Sequence, residues 1–266
     1  MEYQDFIVEV LEEASGIARD NFGKVSGVAK AGDNNQVLTE TDLEIGQMIV
    51  GKIQKYFPTH NIIDEEAGVI DKKSNLTWVV DPIDGTSNFA NGIPLYGIMI
   101  GLLENDAPIA GGIALPSYAE IYVAEKGQGA YCNGKKIAVS QEVDLKKVLV
   151  AYGIDGHQEN PESTRGECGL LAEIVLNIRN LRISNSVFDA AMVARGKYGA
   201  WLNRTSKIWD NVAQQIIIEE AGGIYTDFFG SPVDYANHIN RAEDNFTFLA
   251  APPELHKKLV QIIKTK

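Results

Sequence analysis

Apolar residues recur at helical spacing near the start of the chain, where Phe6, Ile7, Val10, Leu11, Ala14, Ile17 and Ala18 share one face of an amphipathic helix. A second helix follows with Leu43, Met48, Ile49 and Ile53. Between them KAGDNNQVLTETD, residues 30–42, is polar and rich in turn formers, and reads as a mobile loop or a hairpin. The pattern then shortens to apolar runs bounded by turn residues: NIID, LTWVVD, YGIMIGLLE, APIAGGIALP and AEIYVAE. Strands this closely spaced, joined mostly by short turns, predict a largely antiparallel sheet. After the turn dipeptide Asn133-Gly134 the pattern changes to alternating strands and helices. KVLVAY reads as a strand before a helix carrying Leu170, Leu171, Ile174, Val175 and Ile178, followed by LRIS, a helix near 187–195, and GAWLN. Another helix starts at Asp210 and stops at Gly222-Gly223. A last strand near TFLAA leads into a proline-opened helix, PPELHKKLVQIIK. The expected class is mixed α/β, or α+β, with a soft division into 1–142 and 143–266 that has no linker and therefore an interface.

Composition narrows the function classes. The chain has 266 residues, 45% of them hydrophobic, enough for one large or two closely packed domains. No apolar run approaches the ~18 residues that span a bilayer. The opening MEYQDFIVEVLEEASGIARD lacks a basic start and a continuous apolar stretch, so it reads as a helix and not a signal peptide. Cys132 and Cys168, the two cysteines, suit a reducing cytoplasm and argue against a disulfide framework. A formal net charge of −12 disfavours nonspecific nucleic-acid binding. Neither a nucleic-acid nor a membrane partner is expected. An anionic substrate would have to be attracted locally, by metal ions, helix N-termini or a few placed cations.

Candidate chemistry concentrates in WVVDPIDGTSNFANG, residues 78–92. LTWVVD is apolar enough to be buried, which puts Asp81 at the edge of the core where an unpaired carboxylate is costly. Asp81 and Asp84 gain nothing from one another as like charges, whereas a cation between them makes their proximity favourable. Pro82 fixes φ for a turn, Gly85 permits close backbone approach, and Thr86 and Ser87 begin a short helix whose free N–H groups suit an anion. Oxygen ligands without Cys or His favour Mg²⁺ or Mn²⁺, which join carboxylates to a substrate phosphate. Two further acidic sites are IIDEEAG, where Asp64, Glu65 and Glu66 close a strand, and SKIWDNVAQQIIIEEAGG, with Asp210 at a helix N-cap. Taken singly these read as solvated loop residues and an ordinary cap. GAYCNGKK, residues 129–136, falls short of a phosphate-binding loop because Lys136 stands where a hydroxyl is needed and because it lies in a hairpin. His60, His157, His238 and His256 show no metal-ligand spacing and read as solvated or core-edge residues. Trp78, Trp201 and Trp209 read as core or interface residues. Lys30 has two readings, a neutraliser of metal or phosphate charge and a solvated lysine.

DPIDGT after an apolar strand and before Asn88-Phe89, a Glu-Glu pair upstream, and WD with EAGG at 209–223 together resemble the inositol monophosphatase family of magnesium-dependent, lithium-sensitive phosphatases. Weaker similarity covers nearly the whole chain, including TETD at 39–42 and VARG at 193–196. The resemblance implies a layered αβαβα sandwich and a homodimer. It also implies Mg²⁺ as cofactor, two or three ions, with Mn²⁺ as a substitute and Li⁺ as an inhibitor. Carried over residue by residue, Glu65, Asp81 and the carbonyl of Ile83 hold one metal, and Asp81, Asp84 and Asp210 a second. Gly85 and Thr86 offer backbone N–H groups to the phosphate. Glu65 and Thr86 orient the attacking water, and Asp42 polarises Thr86. No covalent phosphoenzyme is required, and the Asp-x-x-Asp spacing differs from the Asp-x-Asp of phosphatases with an aspartyl nucleophile.

The chain departs from the family pattern at the alcohol end of the substrate pocket. Ser184-Asn185-Ser186 replaces a Gly-led segment, Asn203 stands where inositol-preferring members carry an acid, and Asp64 replaces a Gly. Ser184, Asn185, Ser186 and Asn203, with Asp210 and the phosphate-binding Gly85 and Thr86, are the expected substrate contacts. A neutral residue at 203 predicts relaxed discrimination against extra anionic groups, so inositol monophosphate is accepted without strong preference. Sugar bisphosphates such as fructose 1,6-bisphosphate, histidinol phosphate and nucleotide 3′-phosphates are the alternative substrates. A non-catalytic partner-binding protein on the same fold is the alternative from another class.

Overall fold

The computed structural model describes residues 2–30 and 33–265, with residues 33–36 described by backbone alone. Helix α1 (Tyr3–Asn21) buries Phe6, Ile7, Val10, Leu11, Ala14 and Ala18, the face that the periodicity marks out. Strands β1 (Val28–Lys30) and β2 (Asp33–Leu38) pair antiparallel. The expected loop or hairpin at 30–42 is therefore a hairpin running into a helix, except at residues 31 and 32, which lie outside the described residues. Helix α2 (Glu40–Tyr56) turns Ile45, Gly46, Ile49, Val50 and Ile53 inward. Leu43, expected on that face, is exposed: two residues before Ile45 it points about 200° away around the helix.

The first sheet is built from β3 (Asn61–Asp64), β4 (Gly68–Ile70) and β5 (Leu76–Asp84). After a short helix α3 (Thr86–Ala90) it continues with β6 (Gly97–Glu104), β7 (Ala107–Leu115), β8 (Glu120–Glu125), β9 (Gly129–Cys132) and β10 (Lys135–Lys136). Its order is β10-β9-β8-β7-β6-β5-β3-β4, antiparallel except where β3 runs parallel to β5. GAYCNGKK forms the β9–β10 hairpin. Period-two alternation separates the faces: Ile98 and Ile100 join the core under α1 and α2, whereas Met99 faces the opposite core.

The second sheet takes β11 (Leu149–Gly153), then, after α4 (Pro161–Asn177), β12 (Asn180–Arg182). Helix α5 (Phe188–Ala194), β13 (Ala200–Asn203), α6 (Ile208–Glu220), β14 (Ile224–Thr226), β15 (Phe248–Ala251) and α7 (Pro253–Lys264) complete the chain. The strand order is β12-β11-β13-β15-β14, with β12, β11 and β13 mutually parallel. Val150, Tyr152, Leu202 and Leu249 pack outward beneath Ile174 of α4 and Leu255 and Leu259 of α7. Ala151, Trp201 and Phe248 face inward onto α5 and α6. The layers are thus α1/α2, sheet, α5/α6, sheet, α4/α7, the expected αβαβα sandwich. Helix α6 lies between two sheets and is buried nearly all round, so its polar residues need partners. Asn211 accepts from the Tyr225 hydroxyl at 2.7 Å, and Gln214 accepts from Trp201 Nε1 at 3.1 Å. Among the described residues no helix is long and apolar enough to cross a membrane.

Candidate active site

Strand β5 does not end at Asp81, as the apolar run alone suggests, but continues to Asp84. In a regular strand residues three apart point to opposite faces. Here Asp81 pairs with Met99 and Asp84 with Gly97, so three steps on β5 oppose two on β6. The extra residue at Pro82-Ile83 is a bulge; it restores the alternation and brings both carboxylates into one cleft. Pro82, which has no N–H to give a ladder, is tolerated at such a break. Gly85 then caps α3 with φ +81°. A Cβ there would stand 2.8 Å from Ser186 Cβ and 3.0 Å from the Leu95 carbonyl, so the loop before α5, as well as the backbone turn, demands glycine.

Two other segments meet β5. Asp64 accepts the N–H groups of Glu66 at 3.0 Å and Ala67 at 2.6 Å, folding the turn that carries Glu65. Asp64 is therefore a turn-former and does not enter the cleft. Lys30 Nζ bridges Glu65 and Glu66 at 2.8 and 2.6 Å. Burial works against the Lys30 charge, but the two carboxylates outweigh it and hold the ammonium above its ordinary range. Asp210 is the third residue of α6, not its N-cap: Lys207 holds that position, and the Asp210 carboxylate turns back to accept the Lys207 N–H. Asp84 likewise accepts the Val187 N–H.

One carboxylate oxygen each from Asp81, Asp84 and Asp210 lie within 4.8 Å of one another. Burial pushes Asp210 up to about 6 and Glu65 to about 7. Burial first, then the neighbouring carboxylates, pushes Asp81 and Asp84 well above the carboxylate range. Among the described residues the buried Asp81 Oδ1 has no hydrogen-bond partner. An orphaned hard oxygen among crowded like charges is the environment a divalent cation relieves, and the all-oxygen donor set fits Mg²⁺ or Mn²⁺.

Beneath this cluster Asp42 does not line the cleft but supports a residue that does. Thr86 Oγ1 is 3.1 Å from Asp42 Oδ1 and 2.7 Å from the Ile83 carbonyl oxygen. The other Asp42 oxygen accepts the Thr39 N–H at 2.9 Å and the Thr39 hydroxyl, capping α2. Burial raises the Asp42 carboxyl to about 6 against these hydrogen bonds.

The cleft, about 590 Å³, brings together Glu65, Asp81, Ile83, Asp84, Gly85, Thr86, Ser184, Asn185, Ser186, Asn203 and Asp210. Trp201 and Trp209, both buried, also reach it. His60, His238 and His256 are core-edge residues bonded to Trp78, Thr77 and Thr226, whereas His157 lines the cleft. Sequence reasoning missed Asp155, Glu159 and Thr205, which line it too. Asp155 carries the same local signal as Asp81, an acid that follows an apolar run. Its relevance depends on β11 lying beside β13, which local sequence does not encode.

The Ser184–Ser186 loop is anchored by Asp189, whose Oδ2 accepts the Ser184 N–H at 3.3 Å. Asp189 is fully buried, its Oδ1 has no partner among the described residues, and burial raises its carboxyl to about 6. Ionisation in the folded state is thereby penalised by roughly 3 kcal/mol. A raised carboxyl contributes stability that is complete below its unfolded pKa and lost as pH rises through the folded value. Asp189→Asn removes that loss. Urea unfolding at about pH 8 is expected to find the variant more stable by about 1–3 kcal/mol, the gap closing toward about pH 4. A variant less stable at the higher pH would show that the anchoring bond outweighs the ionisation penalty.

Comparison with known proteins is consistent along the chain. The sequence model described as the inositol monophosphatase family matches residues 2–266. A protein of Aquifex aeolicus named fructose-1,6-bisphosphatase/inositol-1-monophosphatase is 32% identical over 240 residues, covering 88% of this chain and 89% of that protein. Bovine inositol monophosphatase 1 is 30% identical over 268 residues, covering 98% and 95% respectively. The solved structure of a Thermotoga maritima IMPase superposes with a TM-score of 0.86 at 30% identity, covering 100% of this chain and 98% of that one.

Proposed function

The chain belongs to the inositol monophosphatase family of metal-dependent phosphatases, and from that premise we propose that it hydrolyses a small phosphomonoester by direct attack of water, with Mg²⁺ as its ion. The observation that carries this reading is the carboxylate trio of buried Asp81 and half-buried Asp84 and Asp210, with an Asp81 oxygen that has no partner among the described residues. Asp81 would bridge two ions, the first shared with Glu65 and the Ile83 carbonyl, the second with Asp84 and Asp210. Divalent ions held there would acidify water and offset the negative charge of the reacting oxygens.

The remaining steps belong to the side chains. Lys30 engages Glu65 Oε1, leaving Oε2 to take the proton of the attacking water. The Thr86 hydrogen is drawn to Asp42 Oδ1 or the Ile83 carbonyl, so the lone pairs of Oγ1 are left to orient that water. The N–H groups of Gly85 and Thr86 receive phosphoryl oxygens. Water adds to phosphorus, the P–O bond to the alcohol breaks with its electron pair leaving on the alcohol oxygen, that oxygen takes a proton from solvent, and Glu65 returns its proton to solvent. Retention of every acidic ligand supports catalysis over a non-catalytic binding role on this fold.

Phosphate release from a panel of small esters tests the reading. Activity is expected with Mg²⁺, at a lower level with Mn²⁺, and not after chelation by EDTA. Li⁺ is close in size to Mg²⁺ but carries half the charge, so it should inhibit near the activating Mg²⁺ concentration. Equal concentrations of Na⁺ or K⁺ should not; equal inhibition by all three would remove the site-specific explanation.

A further inference from the structure

Three parallel strands deliver their carboxyl ends to the alcohol side of the cleft, the usual place for ligands in parallel sheets. Gly153 of β11 is in register with Asn203 of β13, so Asp155 and Thr205 emerge side by side, and Asn185 follows β12 on the other flank. Asp155 Oδ1 accepts Asn185 Nδ2 at 3.1 Å, and Oδ2 accepts the Thr205 hydroxyl at 2.8 Å. Asn203 turns its carbonyl oxygen to the Thr205 N–H at 2.7 Å. A Cβ at Gly153 would stand 2.6 Å from Asn203 Nδ2 and 3.0 Å from Asn185 Oδ1, so only glycine lets these groups close over the end of β11. Asp155, Asn203 and Thr205 all line the cleft.

Position 203 is neutral, yet a carboxylate reaches the same end of the cleft from the neighbouring strand. We propose that Asp155 is the specificity-determining residue of this cleft: it receives the hydroxyl groups of a polyol monophosphate and excludes esters that carry a second phosphate. The proposal rests on the phosphomonoesterase reading above and replaces the relaxed discrimination expected from Asn203 alone. Each carboxylate oxygen has two acceptor directions, and among the described residues each Asp155 oxygen has one partner, leaving acceptor capacity for substrate. Beside it the Asn203 amide supplies a donor. A polyol hydroxyl both donates and accepts and satisfies the pair, whereas a phosphate only accepts and meets a like charge.

The nearby cations do not offset that charge. Lys207 Nζ donates to the Glu243 carbonyl and lies 3.7 Å from the Glu243 carboxylate. The Arg204 guanidinium sits over the rings of Phe228 and Phe229, at 5.5 and 5.9 Å. His157 has Glu159 3.6 Å away.

The test is the ratio of kcat/KM for inositol 1-phosphate over fructose 1,6-bisphosphate, measured with Mg²⁺. The wild-type protein should favour the monophosphate. Asp155→Asn should lower the ratio about 10-fold or more, through improved use of the bisphosphate as well as weaker use of the monophosphate. Asp155→Ser, with a smaller polar side chain, should do the same, and thermal unfolding checks that both fold. The double variant Asp155→Asn/Asn203→Asp moves the carboxylate one strand over and should restore the preference, which a merely structural Asp155 would not allow. An unchanged ratio in folded single variants, or a wild-type preference for the bisphosphate, overturns the assignment and leaves the phosphatase reading standing. Failure of the wild-type protein to release phosphate even from p-nitrophenyl phosphate, which has no polyol part, overturns both.

Discussion

Asp81→Asn is expected to lower kcat by on the order of 10³-fold or more while raising the melting temperature of the chelated protein. The two effects have one cause. Asp81 is nearly fully buried, and burial with the charges of Glu65, Asp84 and Asp210 holds its carboxyl far above the ordinary range. A carboxyl raised in this way contributes stability at low pH that disappears as pH rises through its folded value, so at neutral pH the cluster works against folding. An amide of the same shape carries no charge and relieves the crowding, but it cannot hold two dications together. In EDTA the variant should therefore melt higher than wild type, with a gap that widens from about pH 5 to about pH 8. Added Mg²⁺ should reverse the order, because ligand binding stabilises only the protein that retains the site. Near-normal turnover in saturating Mg²⁺, or a variant that melts lower than wild type in EDTA, would sink the assignment of Asp81 as the bridge.

Thr86→Ala should reduce kcat by on the order of 10²-fold with little change in KM, since the hydroxyl is proposed to orient water and not to bind the ester. Asp42→Asn is the more informative partner. Its carboxylate serves Thr39 through one oxygen and Thr86 through the other, and an amide has only one oxygen. If that oxygen keeps the cap, the amide nitrogen faces Thr86 and donates to it, which fixes the Thr86 hydrogen on the Ile83 carbonyl. If it keeps Thr86, the cap of α2 is lost at a cost of about 1 kcal/mol. Urea unfolding separates the two arrangements, and steady-state kinetics of the double variant measures their coupling. Asp42→Asn in a Thr86→Ala background should cost almost nothing further in kcat, because Asp42 acts through Thr86. Additive losses would give Asp42 a role of its own, and a rise in KM alone would reassign Thr86 to substrate binding.

Much of this protein is decided by neighbours in the chain. The face of α1, the apolar run that becomes β6 and the stop of α6 at Gly222-Gly223 follow from local periodicity and turn chemistry, which act over a few residues whatever lies across the core. DPIDGT is contiguous, so its carboxylates, turn and helix start could be read together, and with Glu65 and Asp210 they marked the family before any distance was known. Three-residue strands such as β4 and β14 escaped, because so short a run has no period to detect. Leu43 was misplaced because an apolar residue near a helix start does not reveal which way the first turn faces.

The convergence of the site is a tertiary result. Asp81 and Asp84 share a cleft because β5 gains a residue against β6, and a register is a property of two strands. Gly85 has to be glycine partly because Ser186, a hundred residues away, packs against it. Asn203 by itself points to a neutral pocket end, and the sequence determines only that position 203 lacks a charge. Asp155 places one there because β11 and β13 lie in parallel register, so residues 155 and 205, far apart along the chain, leave the sheet as neighbours. Electrostatics depends on distance through space, and only the folded sheet sets that distance.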